Sequence, residues 1–417
     1  MVIHLAELET FKTKAQQWAA GFEVCCLLDS NNYQDCYSKI DFAIAAGIND
    51  KIESDSFKEI ELFTAKYNKH WIFGGFGYDL KNDIEPLSSQ NPDFIKFPNA
   101  FFFVPKHLLI LKGNCLEIIS ESAVAIWKQI NETEIQPAPK NATFGIKQRF
   151  DKLAYVKTVE NIIHQISAGN IYETNFCMEF YADDATINPL YTYQQLNKRS
   201  PTPFSNYFKW FDRYVISATP ERFLAKRGEK LISQPIKGTA KRGLTNEEDL
   251  ANIARLKSSA KEQQENVMIV DLVRNDLTKS AFKGSVKVDE LFGIYSFKQV
   301  HHLISTVSCD KKTSISSVGA IKNTFPMGSM TGAPKIKAMQ LMEHFEQSKR
   351  GMYSGSVGYF SPDGDFDFNV IIRSILYNET ENYLSFQVGS AITYYAVPEQ
   401  EYEECLLKVK AIIEVLS

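Results

Sequence analysis

No two cysteines in this sequence stand at Cys-x-x-Cys spacing, and the seven present, at 25, 26, 36, 115, 177, 309 and 405, are odd in number. That argues against a structural zinc site and against a disulfide framework. Buried free thiols in a reducing compartment are expected instead. Long apolar runs are also missing: none approaches the roughly 20 residues a membrane helix needs. The N-terminus, MVIHLAELETFKTKAQQ, has no basic region followed by an apolar core, so no secretory signal is expected. Nor is there a basic excess. Lys plus Arg is 46 against 50 for Asp plus Glu, a formal charge of −4, which is not the footprint of a nucleic-acid binder. Gly-x-Gly-x-x-Gly and Gly-x-x-x-x-Gly-Lys-Ser/Thr fingerprints are absent, and no period of 20–50 residues repeats. A cytoplasmic protein with no membrane or nucleic-acid partner is the expectation.

What is present is ordinary globular material. The chain has 417 residues, 44% apolar and 23% charged, with 29 Phe, 19 Tyr and 4 Trp to fill a large core. The length suggests two regions or one large fused body. NETEIQPAPKNATFG, within 130–150, is the least structured stretch, so the expected regions are 1–150 and 151–417, packed closely. Short apolar runs before the boundary (FEVCCLL, HWIFGGFGYDL, FFFVPKHLLIL) read as strands. After it, Val156, Val159, Ile162, Ile163 and Ile166 recur at helical spacing, with Gly169 as the stop. IYETNFCMEFY then reads as a strand, with further strands at 213–218, 230–237, 285–292, 298–308, 354–360, 367–377 and 383–392. Four more helices are expected: one opened by a Thr245/Glu248 capping box, one over 260–276, one opened by Pro334, and one over 398–416. Many strands with scattered helices indicate an α+β class.

Some residues stand out chemically. Glu262 and Glu265 share one helix face, as do Glu401 and Glu404. Brought together, two such faces would form a hard oxygen site suited to Mg2+; separately, each is an ordinary solvated acidic face. Lys408 lies one turn beyond Glu404, as an ion-pair partner or as a cation for an anionic substrate. In FPMGSMTGAPK (325–335), glycines precede a helix, so exposed backbone N–H groups there would suit an anion; a plain turn fits equally. QPIKGTAKRG puts Lys237 among small and apolar residues at a strand end, where partial desolvation would free the amine as a nucleophile. His302 alternates in VHHLIS. Arg373, read as lying inside an apolar strand IIRSI, needs an anion.

Taken together, GGFGYDL (74–80), GNIYETN (169–175), ATPERF (218–223), PIKGTAKRG (235–243), ENVMIVDLVRNDL (265–277), VHHLIS (300–305), FPMGSMTGAPK (325–335), IIRSI (371–375) and PEQEYEECLLKVKA (398–411) resemble, in order and spacing, the chorismate-utilising enzymes. The match is dense from about 155 to the end and thinner before it, where LLDSN (27–31) still fits. The resemblance implies two stacked antiparallel sheets flanked by helices. It implies Mg2+ held by Glu265 and Glu404, with Glu262 and Glu401 one shell out. Arg373, Tyr353 and Lys408, with the backbone near Gly389 and the loop residues Thr331 and Gly332, match substrate-binding positions. Glu221 matches a proton-transfer glutamate, and His302 a residue close to the reacting ring.

Anthranilate synthases look like PIAGT where this chain has PIKGT. The lysine form is similar to aminodeoxychorismate synthase component I, in which the lysine is the covalent nucleophile. The implied reaction joins chorismate and ammonia to 4-amino-4-deoxychorismate, on the way to 4-aminobenzoate and folate, with a separate glutaminase supplying ammonia. Anthranilate synthase component I is the alternative, and a catalytically dead chorismate-binding regulator is a competitor from another class. Two departures are visible. Glu173 stands where the family has Gln, or Lys in isochorismate synthases, and Tyr394–Tyr395 stand where an Asp-Ser pair is usual.

Overall fold

The computed structural model describes residues 1–34, 36–137 and 144–417. The proposed boundary segment therefore lies partly outside the described residues, at 138–143. Among the described residues, 20 strands join in one continuous ladder in which every pairing is antiparallel. This is an α+β fold, as the mixture of strand and helix patterns indicates.

Two thirteen-residue strands, Phe42–Ser54 and Ala100–Lys112, run through the middle of that ladder. On one side the pairing continues from Phe42–Ser54 through Val24–Asp29, Ser205–Trp210, Arg213–Ser217, Ser374–Asn378 and Tyr383–Ile392 to Glu173–Ala182. On the other it continues from Ala100–Lys112 through Ile72–Phe76, Ser356–Phe360, Phe366–Asn369, Arg222–Arg227 and Lys230–Gln234 to Val300–Asp310. The two stacked sheets are thus two wings of one ladder. A bulge between Ile48 and Asp50, beside Gly47 at φ +70°, bends the shared strand. An extra residue there raises local twist, which lets one strand serve both layers.

Two apolar clusters hold the layers. One contains Cys26, Phe208 and Trp210 from the first wing with Phe73, Phe101, Phe223 and Phe368 from the second, plus Ile269 and Val273 of the helix Ala260–Thr278. The other lies behind the first wing, under the helices Lys152–Ser167 and Pro398–Leu416. The helix Lys152–Ser167 buries Tyr155, Val159, Ile162 and Ile166, close to the periodic stripe read from sequence, and ends before Gly169 at φ +78°. Strands from before residue 150 pair with strands after it, Val24–Asp29 with Ser205–Trp210 and Ile72–Phe76 with Ser356–Phe360.

Some local expectations need correction. The strand expected over 367–377 is two strands, Phe366–Asn369 and Ser374–Asn378. Arg373 falls in the break with φ 51°, not inside an apolar strand. The capping pair is shared differently: the Thr245 hydroxyl accepts from the Glu248 N–H, but the Glu248 carboxylate accepts from the N–H of Leu244 (2.8 Å). Gly328, Ser329, Met330 and Thr331 are buried, so they offer no exposed N–H groups to an anion. The chain right after them, Gly332–Ala333, pairs with Thr174 and Glu173 and draws the turn onto the sheet.

Candidate active site

The site forms where the far ends of the two wings meet two acidic helices. The strand Ile236–Lys241 carries Lys237, and it pairs with Val300–Asp310, which carries His302. Gly238 follows the lysine at φ +89°, a left-handed conformation that suits glycine. A Cβ there would meet Glu262 Oε2 at 2.9 Å, so the helix Ala260–Thr278 lies directly against the lysine strand.

Lys237 is half-buried and makes no hydrogen bond or ion pair among the described residues. Its charge nevertheless acts on Glu173, Glu221, Glu262, Glu265 and Glu404. Burial pushes the Glu221 carboxyl up to about 7, against the pull of Lys237 and Arg373. The Ser329 hydroxyl, buried and without a hydrogen-bond partner among the described residues, neighbours that carboxyl. Burial and the charge of Glu265 also raise Glu262, to about 7, and burial raises Glu265.

The second acidic pair arrives on the helix Pro398–Leu416. Glu401 is buried and accepts from the Ser390 hydroxyl at 2.8 Å. Glu404 is pulled below the usual carboxylate range by Lys408, whose ammonium lies 2.7 Å away. Lys408 also donates to the Gly389 carbonyl at 3.0 Å, so it is both an intrahelical ion pair and a tie to the sheet. A Cβ at Gly389 would sit 2.4 Å from the Asn175 side chain, so only glycine lets these strands approach here. Between the two helices lies Lys261, 3.5 Å from Glu401 and 3.9 Å from Glu265. It was missed by sequence reading, although its position four residues before Glu265 was a visible ion-pair signal.

Arg373, His302 and Thr239 form a relay. Arg373 Nη2 donates to His302 Nε2 at 3.0 Å, so the ring proton sits on Nδ1 and donates to Thr239 Oγ1, also at 3.0 Å. Burial and the Arg373 charge hold His302 well below its usual pKa, hence neutral. With both nitrogens occupied, His302 fixes the guanidinium. Thr239, overlooked in the sequence, lies opposite His302 in the strand register. Burial lowers Arg373 to about 10, while Glu221 and buried Tyr353 favour its charge. The Thr331 hydroxyl turns back onto the carbonyls of Met327 and Gly328, and its own carbonyl accepts from the Asn175 N–H at 2.7 Å.

The four carboxylates of two helices, interleaved with Lys261 and Lys408, make a hard-oxygen donor set, which fits Mg2+. Among the described residues no three of them converge tightly enough to enclose an ion alone. Mg2+ does not require that, since it usually takes one or two carboxylates with water and substrate oxygens.

A family model described as chorismate binding enzyme matches residues 20–414. Aminodeoxychorismate synthase of Streptomyces griseus is 38% identical over 369 residues, 83% of this chain and 50% of that protein. Aminodeoxychorismate synthase component 1 of Bacillus subtilis is 34% identical over 82% of this chain and 76% of that protein. The chain spans about half the length, or less, of the first curated relatives it matches. A crystal structure of anthranilate synthase component I from Streptococcus pneumoniae superposes with a TM-score of 0.73 at 27% identity, covering 83% of this chain and 80% of that one. No helix among the described residues is long and apolar enough to cross a membrane.

Proposed function

Since the chain belongs to the chorismate binding enzyme family, we propose that it aminates chorismate to 4-amino-4-deoxychorismate, acting as an aminodeoxychorismate synthase component I in folate synthesis. One observation carries the reading. Lys237, half-buried and without a side-chain hydrogen bond or ion pair among the described residues, stands on a strand packed against the helix that bears Glu262 and Glu265. An amine so placed is available to attack a bound ring.

The residues divide the work. Arg373, locked by His302 and Thr239, takes a substrate carboxylate through its planar donor fork. Lys408, tied to the Gly389 carbonyl, would offer a second cation to the substrate. Glu265 and Glu404 would hold Mg2+, with Glu262 and Glu401 behind them. When bound, the ion supplies Lewis-acid polarisation of a substrate carboxylate. Lys237 gives its ammonium proton to a neighbouring glutamate and, as the free amine, forms a C–N bond to the ring as the ring C–O bond breaks. Glu221, near half-protonated at neutral pH, gives its proton to the departing hydroxyl, which leaves as water. Ammonia then bonds to the carbon that lost oxygen, the lysine C–N bond breaks, and Lys237 returns as a free amine. Splitting one displacement into two is the advantage of a covalent nucleophile. Ammonia would come from a separate glutaminase partner.

The test is mass analysis of the product from chorismate, Mg2+ and ammonium ion. Aminodeoxychorismate supports the reading. Anthranilate would replace it with the anthranilate synthase reaction, and unconsumed chorismate would leave a binding protein.

A further inference from the structure

The buried carboxylate of Glu173 is not used in the scheme above. It opens the strand Glu173–Ala182 and is 2% exposed, and neither of its oxygens has a hydrogen-bond partner among the described residues. A buried polar group left this way costs on the order of 1–3 kcal/mol, more if charged. Such a cost is unusual in a native interior, where buried polar atoms are nearly always satisfied. We propose that Glu173 is a subsite for ammonium ion, the nitrogen substrate of the reaction proposed above, on which the assignment rests.

The surroundings select that chemistry. Lys237 is the cation acting on Glu173, and Glu265 the carboxylate that repels it. The lysine does not reach ion-pair distance of Glu173, and its charge is shared with Glu221, Glu262, Glu265 and Glu404. Glu173 is therefore left without a cation of its own. A small cation that donates hydrogen bonds would supply the missing partner. The occupant must be small, because burial leaves Glu173 almost no open surface. The Gly332–Ala333 segment closes the neighbouring strand edge by pairing with Thr174 and Glu173. Ammonium is the size of water, donates hydrogen bonds in four directions and carries the needed charge. On giving one proton to the Glu173 carboxylate it becomes the ammonia that bonds to the ring carbon.

Thallium(I), a heavy stand-in for ammonium, gives a readout without turnover. Crystals of the 417-residue chain soaked in thallium acetate should show an anomalous peak at the Glu173 carboxylate. Glu173→Gln, nearly identical in shape, should abolish that peak, and Glu173→Asp should retain it in weakened form. In chorismate amination, Glu173→Gln should raise the KM for ammonium about tenfold or more, the size of a charge-assisted hydrogen bond. The KM for chorismate should stay unchanged. A peak confined to Glu262 and Glu265, or an ammonium KM unaffected by Glu173→Gln, would overturn the subsite. Thallium bound at Glu173 in a chain that does not aminate chorismate would instead overturn the proposed reaction and leave the cation site standing.

Discussion

Replacing Glu221 with Gln should make the folded protein more stable in alkali and the enzyme poorer at once. In the unfolded chain this carboxyl titrates near 4.5, and in the folded site near 7, because burial disfavours its charge. Below pH 4.5 both states hold the proton and nothing is lost. Between 4.5 and 7 the unfolded chain releases its proton while the folded one keeps it, so stability falls as pH rises. Above 7 both are ionised and the penalty is constant. The difference between 4.5 and about 7 corresponds to about 3 kcal/mol. For a chain of this length, with roughly 2 cal/mol/K of unfolding entropy per residue, that is about 4 °C in Tm. Glutamine has the same shape and no charge to bury. Part of that loss has already occurred at pH 5, so calorimetry at pH 5 and pH 8.5 should show the parent losing about 3 °C more than Glu221→Gln across that interval. Turnover by the variant should drop about 10²- to 10⁴-fold, the usual loss when a general acid is removed. The parent rate should decline above pH 7 as the acid ionises. Parallel Tm curves for the two proteins would show that Glu221 is not ionised against a burial penalty, and the assignment of its proton to the leaving hydroxyl would go with it.

Lys237→Ala should abolish amination while chorismate binding persists, because Arg373 and the glutamates are untouched. Intact-protein mass spectrometry should find a chorismate-derived adduct in the parent only, and full aminodeoxychorismate synthesis by the variant would refute covalent catalysis. EDTA should stop turnover and added Mg2+ restore it; a rate indifferent to both would refute the metal assignment. Arg373→Lys keeps the charge but loses the fork, and should raise the KM for chorismate about tenfold to a hundredfold, as expected for a charged hydrogen bond worth ~1.5–3 kcal/mol. Glutamine without a glutaminase should give no product where ammonium salt does.

Much of this site was legible because its residues sit in short local patterns. The three-residue spacing of Glu262 and Glu265, and of Glu401 and Glu404, put each pair on one helix face, and the helices formed over Ala260–Thr278 and Pro398–Leu416. That the two faces meet is a long-range matter. It depends on a ladder whose wings diverge at Phe42–Ser54 and Ala100–Lys112, and no local period encodes it. Arg373 misled for a related reason. IIRSI has the apolar composition of a strand, yet the chain turns left-handed at the arginine, and the ladder resumes only at Ser374. The glycine-rich FPMGSMTGAPK looked open from its spacing, but it is buried by a pairing with Thr174 and Glu173 some 160 residues away.

The order Lys237, Gly238, Thr239 now has a physical reason. In a regular strand the lysine and threonine would point to the same face. Here the register shifts between Ile236 and Thr239, and Gly238 takes a φ that a side chain rarely adopts. The break lets the two residues serve different partners. Lys237 addresses the glutamates, while Thr239 comes opposite His302, which holds Arg373. Glycine is favoured for its conformation, and a Cβ there would also press on the tip of Glu262. One three-residue stretch therefore sets the distance between the amine, an acidic helix and the arginine. A small movement of this strand would displace all three together, so a change at 238 would act on the proposed nucleophile and on the proposed carboxylate-binding arginine at the same time.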